Sequence, residues 1–314
     1  MFRWKRLGQI FNPGATKPSE WMHEYAQCPT PVVLDANTLR VYIACRPERG
    51  SDLQYVAYPG YVDLARNDIK RIQGASPKPI MPLGNTGTFD EFGIMPSSFV
   101  RNGDEMYAYY SGWTRMQSAP YTLAIGLAIS KDGGTTFEKL GEGPVLGISL
   151  DDPYFVTGPI VRIVEGTWLM WYLSCKKWME LDGKSEPIYR MALAKSSDGI
   201  SWSKHGDTVI PPLSANECQD ICAPFFYKEK WHAIFAWRDP TFRNGRYQLG
   251  YAQSDDLSHW TRDDSLVGLE LSASGWDSEM MCYPQVIELD GRLLIFYCGN
   301  NFGRDGFGAA ELLD

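Results

Sequence analysis

Pro159-Ile-Val-Arg-Ile-Val-Glu-Gly-Thr-Trp-Leu-Met-Trp-Tyr172 decides the fold. A proline leads into an apolar strand, a short polar turn follows, and a second strand ends in aromatics. Short runs of β-branched and aromatic residues around a turn signal read as a β-hairpin. The same phrase occurs four more times, at intervals of about 60 to 65 residues. It stands at Pro31-Val-Val-Leu-Asp…Val41-Tyr-Ile-Ala-Cys-Arg46 and at Pro96-Ser-Ser-Phe-Val…Met106-Tyr-Ala-Tyr-Tyr-Ser-Gly-Trp113. It returns at Pro224-Phe-Phe-Tyr-Lys…Trp231-His-Ala-Ile-Phe-Ala-Trp237 and at Pro284-Gln-Val-Ile-Glu…Leu293-Leu-Ile-Phe-Tyr297. Repetition of an all-strand unit at this period marks a ring of blades. The expectation is an all-β, five-bladed β-propeller with four antiparallel strands per blade.

A second phrase supplies the third and fourth strands. It reads Ile125-Gly-Leu-Ala-Ile-Ser-Lys-Asp-Gly-Gly-Thr-Thr-Phe137, Met191-Ala-Leu-Ala-Lys-Ser-Ser-Asp-Gly-Ile-Ser-Trp202 and Leu249-Gly-Tyr-Ala-Gln-Ser-Asp-Asp-Leu-Ser-His-Trp260. Asp132-Gly133 and Asp198-Gly199 suit a tight turn, because glycine tolerates positive φ. This pattern is read as a hairpin and not as a site. The third strand of blade one is degenerate, and blade five ends at Gly308-Ala-Ala-Glu-Leu-Leu313 with no fourth strand after it. Trp4-Lys-Arg-Leu-Gly-Gln-Ile-Phe11 matches the missing strand, so the two chain ends are expected to pair and close the ring. The chain then reads as one propeller domain over 1–314, with blades at roughly 20–80, 81–145, 146–212, 213–270 and 271–314 plus 1–12.

Composition narrows the functional classes. The formal net charge is −8 and no lysine- or arginine-rich run occurs, which argues against nucleic-acid binding. No apolar run approaches membrane-spanning length, and Met1-Phe-Arg-Trp-Lys-Arg-Leu lacks the apolar segment of a secretory signal. Seven scattered cysteines suit reduced, buried thiols, so a cytoplasmic location is expected. Cys218, Cys222, Cys28 and Cys282 form no Cys-x-x-Cys pair, and neither a metal nor a cofactor is expected. Nothing in the sequence speaks to the oligomeric state.

Long loops at 12–30, 74–95, 113–122, 140–158, 174–188, 204–223 and 264–283 mostly precede a first strand or follow a second one. Those ends share one face of a propeller, and first strands line its axial channel. Segments just ahead of the first strands are rich in acid: His23-Glu24, Asp90-Glu91, Asp151-Asp152, Glu217-Cys-Gln219-Asp220 and Asp277-Ser-Glu279. Second strands end in Arg46, Trp113 with Arg115, Lys176-Lys177, Arg238-Asp239 and Asn300-Asn301. Crowded carboxylates push one another's pKa values apart, which yields one proton donor and one ionised partner. Aromatics and arginines would then seat a sugar ring.

At these segments the chain resembles the five-bladed propeller glycosidases, a superfamily with the β-xylosidases and arabinanases, invertases and mannoside phosphorylases. His23-Glu-Tyr-Ala-Gln-Cys-Pro29, Phe89-Asp-Glu-Phe-Gly-Ile-Met-Pro96, Asn216-Glu-Cys-Gln219 and Asn300-Asn-Phe-Gly-Arg-Asp-Gly-Phe-Gly-Ala309 are similar to glycosidase-like proteins of bacterial surface-polysaccharide gene clusters. The resemblance implies catalysis by carboxylates from separate blades. It departs at Cys28-Pro-Thr-Pro31, where the superfamily has Asp-Pro, and at Arg238-Asp239-Pro240, an invertase triplet found here in a different blade. The resulting expectation is a glycoside hydrolase-like enzyme acting on a carbohydrate or activated sugar. Glu217 would be its general acid, Glu91 or Asp90 its base or nucleophile, and Glu279 the modulator. His23, Glu24, Arg46, Trp113, Arg115, Lys177, Gln219, Asp220 and Arg238 would bind substrate. The alternative is a carbohydrate-binding propeller without catalysis.

Overall fold

The computed structural model describes residues 1–51, 54–206, 208–242 and 245–313. After β1 (Arg3–Phe11), blade 1 is β2 (Glu24–Val33), β3 (Thr38–Arg46), β4 (Tyr58–Ala65) and β5 (Asp68–Ala75). Blade 2 is β6 (Gly93–Asn102), β7 (Glu105–Arg115), β8 (Tyr121–Ser130) and β9 (Glu138–Lys139). Blade 3 is β10 (Val156–Val164), β11 (Thr167–Leu181), β12 (Lys184–Ser196) and β13 (Ser203–Gly206). Blade 4 is β14 (Cys218–Tyr227), β15 (Lys230–Arg238), β16 (Gln248–Ser254) and β17 (Thr261–Arg262). Blade 5 is β18 (Cys282–Leu289), β19 (Arg292–Cys298) and β20 (Phe307–Leu313), and β1 adds to it as the outermost strand. The ring therefore closes as expected, with Arg3 opposite Leu313 and Phe11 opposite Phe307. Among the described residues, no helix is long and apolar enough to cross a membrane.

The repeated phrase needs one adjustment of register. Each inner strand carries a bulge where the pairing with its neighbour slips. At the slip stand Pro29, Pro159 and Pro284, with Pro96 one residue ahead of it in blade 2 and Cys222 one residue after it in blade 4, so the repeating proline of blade 1 is Pro29 and not Pro31. Blade 4 has a cysteine in that place, and its Pro224 lies two residues further on. Proline fits here because a bulge leaves the local ladder donor unpaired. The Asp-Gly hairpins behave as read: the carboxylate of Asp198 accepts from the amides of Ile200 and Ser201, both at 2.8 Å.

Four blades share a tie that crosses the sheet. A carboxylate in the turn before the inner strand meets a cation on the outermost strand. The pairs are Asp90 with Lys139 at 2.6 Å, Asp152 with Lys204, Glu217 with Arg262 at 2.7 Å and Asp277 with Arg6 at 2.5 Å. In three of them a second-strand tyrosine donates to the same carboxylate: Tyr110 at 3.0 Å, Tyr172 at 3.2 Å and Tyr297 at 2.9 Å. Blade 4 replaces the phenol with Phe235, whose ring lies 5.0 Å beneath the Arg262 guanidinium. Blade 1 fills the place with Trp21 instead, packed where a side chain on Gly60 would stand. All four carboxylates are buried.

Closure by β1 rests on more than its ladder. Trp4 donates its indole N–H to the Val267 carbonyl at 2.8 Å, and Phe2 packs edge-on against Tyr251 at 5.4 Å between centroids. Without β1 the β20 edge is bare and Asp277 has lost its cation. Removing residues 1–11 is therefore expected to convert a single cooperative urea transition into aggregation or a non-cooperative one. An unchanged midpoint and slope would show that the chain ends are not what closes the ring.

Candidate active site

The bulges of the inner strands close the axis with a plug. Cys28, Ile160 and Ile221 pack together there, flanked by Met95 and Tyr283, so every blade supplies one member. Three bulges turn through the left-handed region, at Cys28 (φ 54°), Gly158 (φ 61°) and Tyr283 (φ 54°). Only glycine does so at no cost. Cys28 and Tyr283 each store about 1 kcal/mol or more of backbone strain. Such strain persists only where the surrounding packing over-determines it.

Asp220 sits on β14 directly ahead of the plug residue Ile221. The residues one ahead of the plug elsewhere are Gln27, Ile94, Pro159 and Cys282, so one blade alone puts a carboxyl at this level. Asp220 is buried, and its Oδ1 accepts from the Ile221 amide at 2.8 Å. Burial pushes its pKa up to about 7; the Ile221 N–H and the charge of Arg238 oppose that rise only in part. Tyr189, Tyr247, Tyr283, Cys28, Cys282 and Cys298 all feel its charge, which puts them around it. Burial holds these phenols and thiols well above their usual ranges. Asp220 is thus the group of this cluster that gives up its proton near neutrality.

Arg238, at the end of β15, is the counter-charge. It donates from Nη2 to Glu186 Oε2 at 2.7 Å and lies 5.4 Å from the Tyr247 ring centroid. The Tyr189 and Tyr247 hydroxyls touch each other beside it. Glu186 arrives on the β11–β12 hairpin, whose strands of 15 and 13 residues outreach those of the other blades. The same hairpin brings Trp178, edge-on to Tyr121 at 5.3 Å and 5.7 Å from Phe155. With Tyr189 and Trp113 these rings form an aromatic wall on the side of blades 2 and 3.

The rim is made of pairs that join neighbouring blades or segments. Glu24 meets Arg304 at 3.0 Å, and Arg246 meets Glu279 at 3.1 Å. Arg46 is flanked by the rings of Tyr25 and Tyr55, at 4.1 and 4.3 Å, and donates to Gln27 at 3.2 Å. Arg115 covers the Phe92 ring at 3.9 Å and donates to the Tyr55 carbonyl at 3.1 Å. His23 and Lys177 are exposed, the latter 3.4 Å from Asn216 Oδ1.

The carboxylates expected to be catalytic are engaged elsewhere. Glu217 has no exposed surface; its oxygens take Arg262 at 2.7 Å, Gln219 Nε2 at 3.1 Å and the Leu213 amide at 2.8 Å. Gln219 is equally enclosed, accepting from the Met191 amide at 2.8 Å, so it is a brace and does not face the funnel. Asp90 belongs to the tie of blade 2. Glu91 accepts from the Gly87 amide at 2.9 Å inside its own loop. What the structure brings together is Asp220 and Arg238, both named from the sequence, with Glu186, Tyr189 and Tyr247, which were not. Glu186 and Tyr189 lie in β12 and Tyr247 just ahead of β16, where their alternation looks like ordinary packing, and only the packing of one blade on the next turns them to the axis. Among the described residues, no group of three or more His, Cys, Asp and Glu is arranged to hold a metal ion.

This architecture, a five-bladed propeller, is shared with solved glycoside hydrolases. Similar solved structures include a glycoside hydrolase with a TM-score of 0.76 at 15% identity, matched over 98% of this chain and 90% of that one. A thermostable family-43 glycoside hydrolase gives 0.64 at 16% identity, over 92% and 89% of the two chains. The Bombyx mori GH32 β-fructofuranosidase BmSUC1 also gives 0.64 at 16%, over 93% of this chain and 61% of that one. By sequence, the chain belongs to the family of the uncharacterized protein Rv1502 of Mycobacterium tuberculosis strain H37Rv, with 31% identity over 315 residues, 98% of this chain and 99% of that protein. The uncharacterized protein MT1551 of strain CDC 1551 matches over the same span at 31%. No family model matches.

Removing one partner of a buried ion pair strands the other charge. Glu217→Ala is therefore expected to lower unfolding free energy by about 3 kcal/mol in urea titration, part of the loss being moderated because Arg262 keeps Asp264. A neutral effect on stability would show that the carboxylate is not acting as a structural tie.

Proposed function

We propose that this chain is a sugar-active enzyme that cleaves or transfers a glycosidic bond at the axial funnel, with Asp220 as proton donor. The observation that carries this reading is the contrast between Asp220 and its neighbours. Four inner-face carboxylates are ion-paired, while Asp220 is buried beside aromatics with a pKa near 7. A group poised at that value protonates a leaving oxygen effectively at neutral pH. Glu186, held by Arg238, supplies the second carboxyl group, which faces positive charge developing on the sugar. Trp178 and Tyr189 offer flat apolar faces to the ring, and Arg46 and Arg238 offer donors to its hydroxyls. We assign the role of acid to Asp220 and not to Glu217 because both Glu217 oxygens are spoken for and none of its surface is open. The resemblance to surface-polysaccharide cluster proteins supports a substrate from that metabolism, handled in the cytoplasm.

The test is turnover of oligosaccharides, aryl glycosides and nucleotide sugars in ¹⁸O-labelled water, with and without phosphate. Labelled free sugar marks a hydrolase; sugar phosphate formed only with phosphate marks a phosphorylase. Asp220→Asn is expected to reduce kcat/KM by about 10²- to 10⁴-fold. The wild-type profile should fall as pH rises through about 7, because the proton to be donated is lost there. Equal rates in the variant would remove Asp220 from the mechanism. Sugar binding without turnover in the wild type would favour the non-catalytic carbohydrate-binding propeller.

A second measurement is independent of substrate. The folded pKa of Asp220 is raised above an unfolded value of about 3.9, so the protonated side chain favours folding and its contribution is lost as pH rises from about 4 through about 7. Asp220→Asn is expected to stabilise the protein at pH 8 by up to about 4 kcal/mol relative to its effect at pH 4. A pH-independent difference would mean that the carboxyl is not held in a desolvated state.

A further inference from the structure

Beside the funnel, in the seam between blades 4 and 5, lies a second cleft of about 690 Å³. We infer that it is a second carbohydrate subsite, so that the substrate is at least a disaccharide whose far unit lies in this seam. The inference rests on the reading of the funnel as a sugar site. Its volume falls in the range of about 300–1,000 Å³ usual for small-molecule sites. Tyr247 connects the two spaces: it lines the cleft, and its hydroxyl meets Tyr189 beside Asp220 and Arg238. A ligand seated against Asp220 therefore has this cleft beside it, across a single aromatic residue.

The lining has the chemistry of a sugar site. Trp237 gives a flat wall, stiffened from behind by the Arg262 guanidinium at 4.9 Å from its ring. Leu249, Leu269 and Met281 give an apolar base, and Gln248 and Ser278 add hydrogen-bonding groups. An aromatic face with a few polar groups around it suits a ring that is apolar on its faces and hydroxylated at its edge. The charge of Asp264 is quenched within the wall, since it binds Arg262 at 2.8 Å and the Tyr251 amide at 3.1 Å. Glu270 adds a second carboxylate to the lining, so the cleft disfavours an anionic unit and suits a neutral one.

The mouth is closed by the Arg246–Glu279 pair, whose side chains are 42% and 47% exposed. A pair so exposed contributes little to stability and exchanges partners readily. The backbone on the Glu279 side is nevertheless fixed, because Asn300 Oδ1 accepts from the amides of Glu279 and Met280 at 2.8 and 3.0 Å. The Glu279 head is thus placed at the mouth, and both side chains can turn from each other toward sugar hydroxyls. Glu279, read from the sequence as a modulator of the funnel acid, belongs to this cleft.

The test uses Asp220→Asn protein, whose turnover is expected to be slowed about 10²- to 10⁴-fold, and titrates it calorimetrically with a panel of neutral mono-, di- and trisaccharides. At least one disaccharide should bind about tenfold or more tighter than its monosaccharide. Ser278→Cys then adds a thiol at the cleft, where all seven native cysteines are buried. Coupling it to a bulky maleimide should abolish the length-dependent gain and leave monosaccharide affinity within about twofold. Arg246→Ala, at an exposed position, should weaken the disaccharide alone and covers the case in which labelling perturbs the fold. Equal affinity for all lengths, or a gain that survives both changes, would overturn the subsite while leaving the funnel reading intact. Absence of binding to every sugar would overturn both.

Discussion

A buried carboxylate that reaches from the turn before the innermost strand to a cation on the outermost one is the interaction on which the rest depends. It spans all four strands of a blade, and four of the five blades have it. Buried ion pairs are poor sources of net stability, because desolvation offsets most of the attraction. Their effect here is geometric. Each pair has one low-energy arrangement, so each fixes how the loop ahead of the inner strand enters the channel, and hence where the funnel residues stand. The tie of blade 5, Asp277 with Arg6, also joins the two ends of the chain and so couples ring closure to the shape of the mouth.

The site lies where this regularity stops. Blade 4 has no phenol in its tie, using Phe235 under Arg262, and carries an extra carboxyl, Asp220, at a level where the other blades have uncharged side chains. The same desolvation that would make an unpaired Asp220 anion costly is what raises its pKa to about 7. Arg238 is near enough to limit that rise but is itself committed to Glu186. One arginine thus stands between two carboxyls in different settings, which is the basis for the proposed division of labour between them.

Asymmetry of the loops completes the mouth. The long β11–β12 hairpin builds a high aromatic wall on the side of blades 2 and 3, whereas the seam between blades 4 and 5 opens into a cleft. The five-fold core thus carries one raised side and one side that opens into a cleft.

Much of this was legible in the chain. The repeated strand phrases, the Asp-Gly hairpins and the spare N-terminal strand required the five-bladed ring and its closure, because strand periodicity and turn chemistry are local properties. Asp220 and Arg238 could be named as funnel residues for the same reason: they lie at the ends of recognisable strands. The acidic pattern ahead of each inner strand was equally visible, but its meaning was not. A carboxylate beside an inner strand reads the same whether it turns to the axis or back across its own sheet, and the difference between Glu217 and Asp220, three residues apart, is one of side-chain direction. That direction is set by bulges and by cations more than 40 residues away, such as Arg262 for Glu217, separated by 45 residues. Glu186, Tyr189 and Tyr247 become a cluster only when blades 3 and 4 pack together. The sequence by itself determined the blades and their order, since those follow from local alternation and turns; which carboxyl keeps its proton was decided only by tertiary packing, since burial and charge pairing are properties of distant residues brought together.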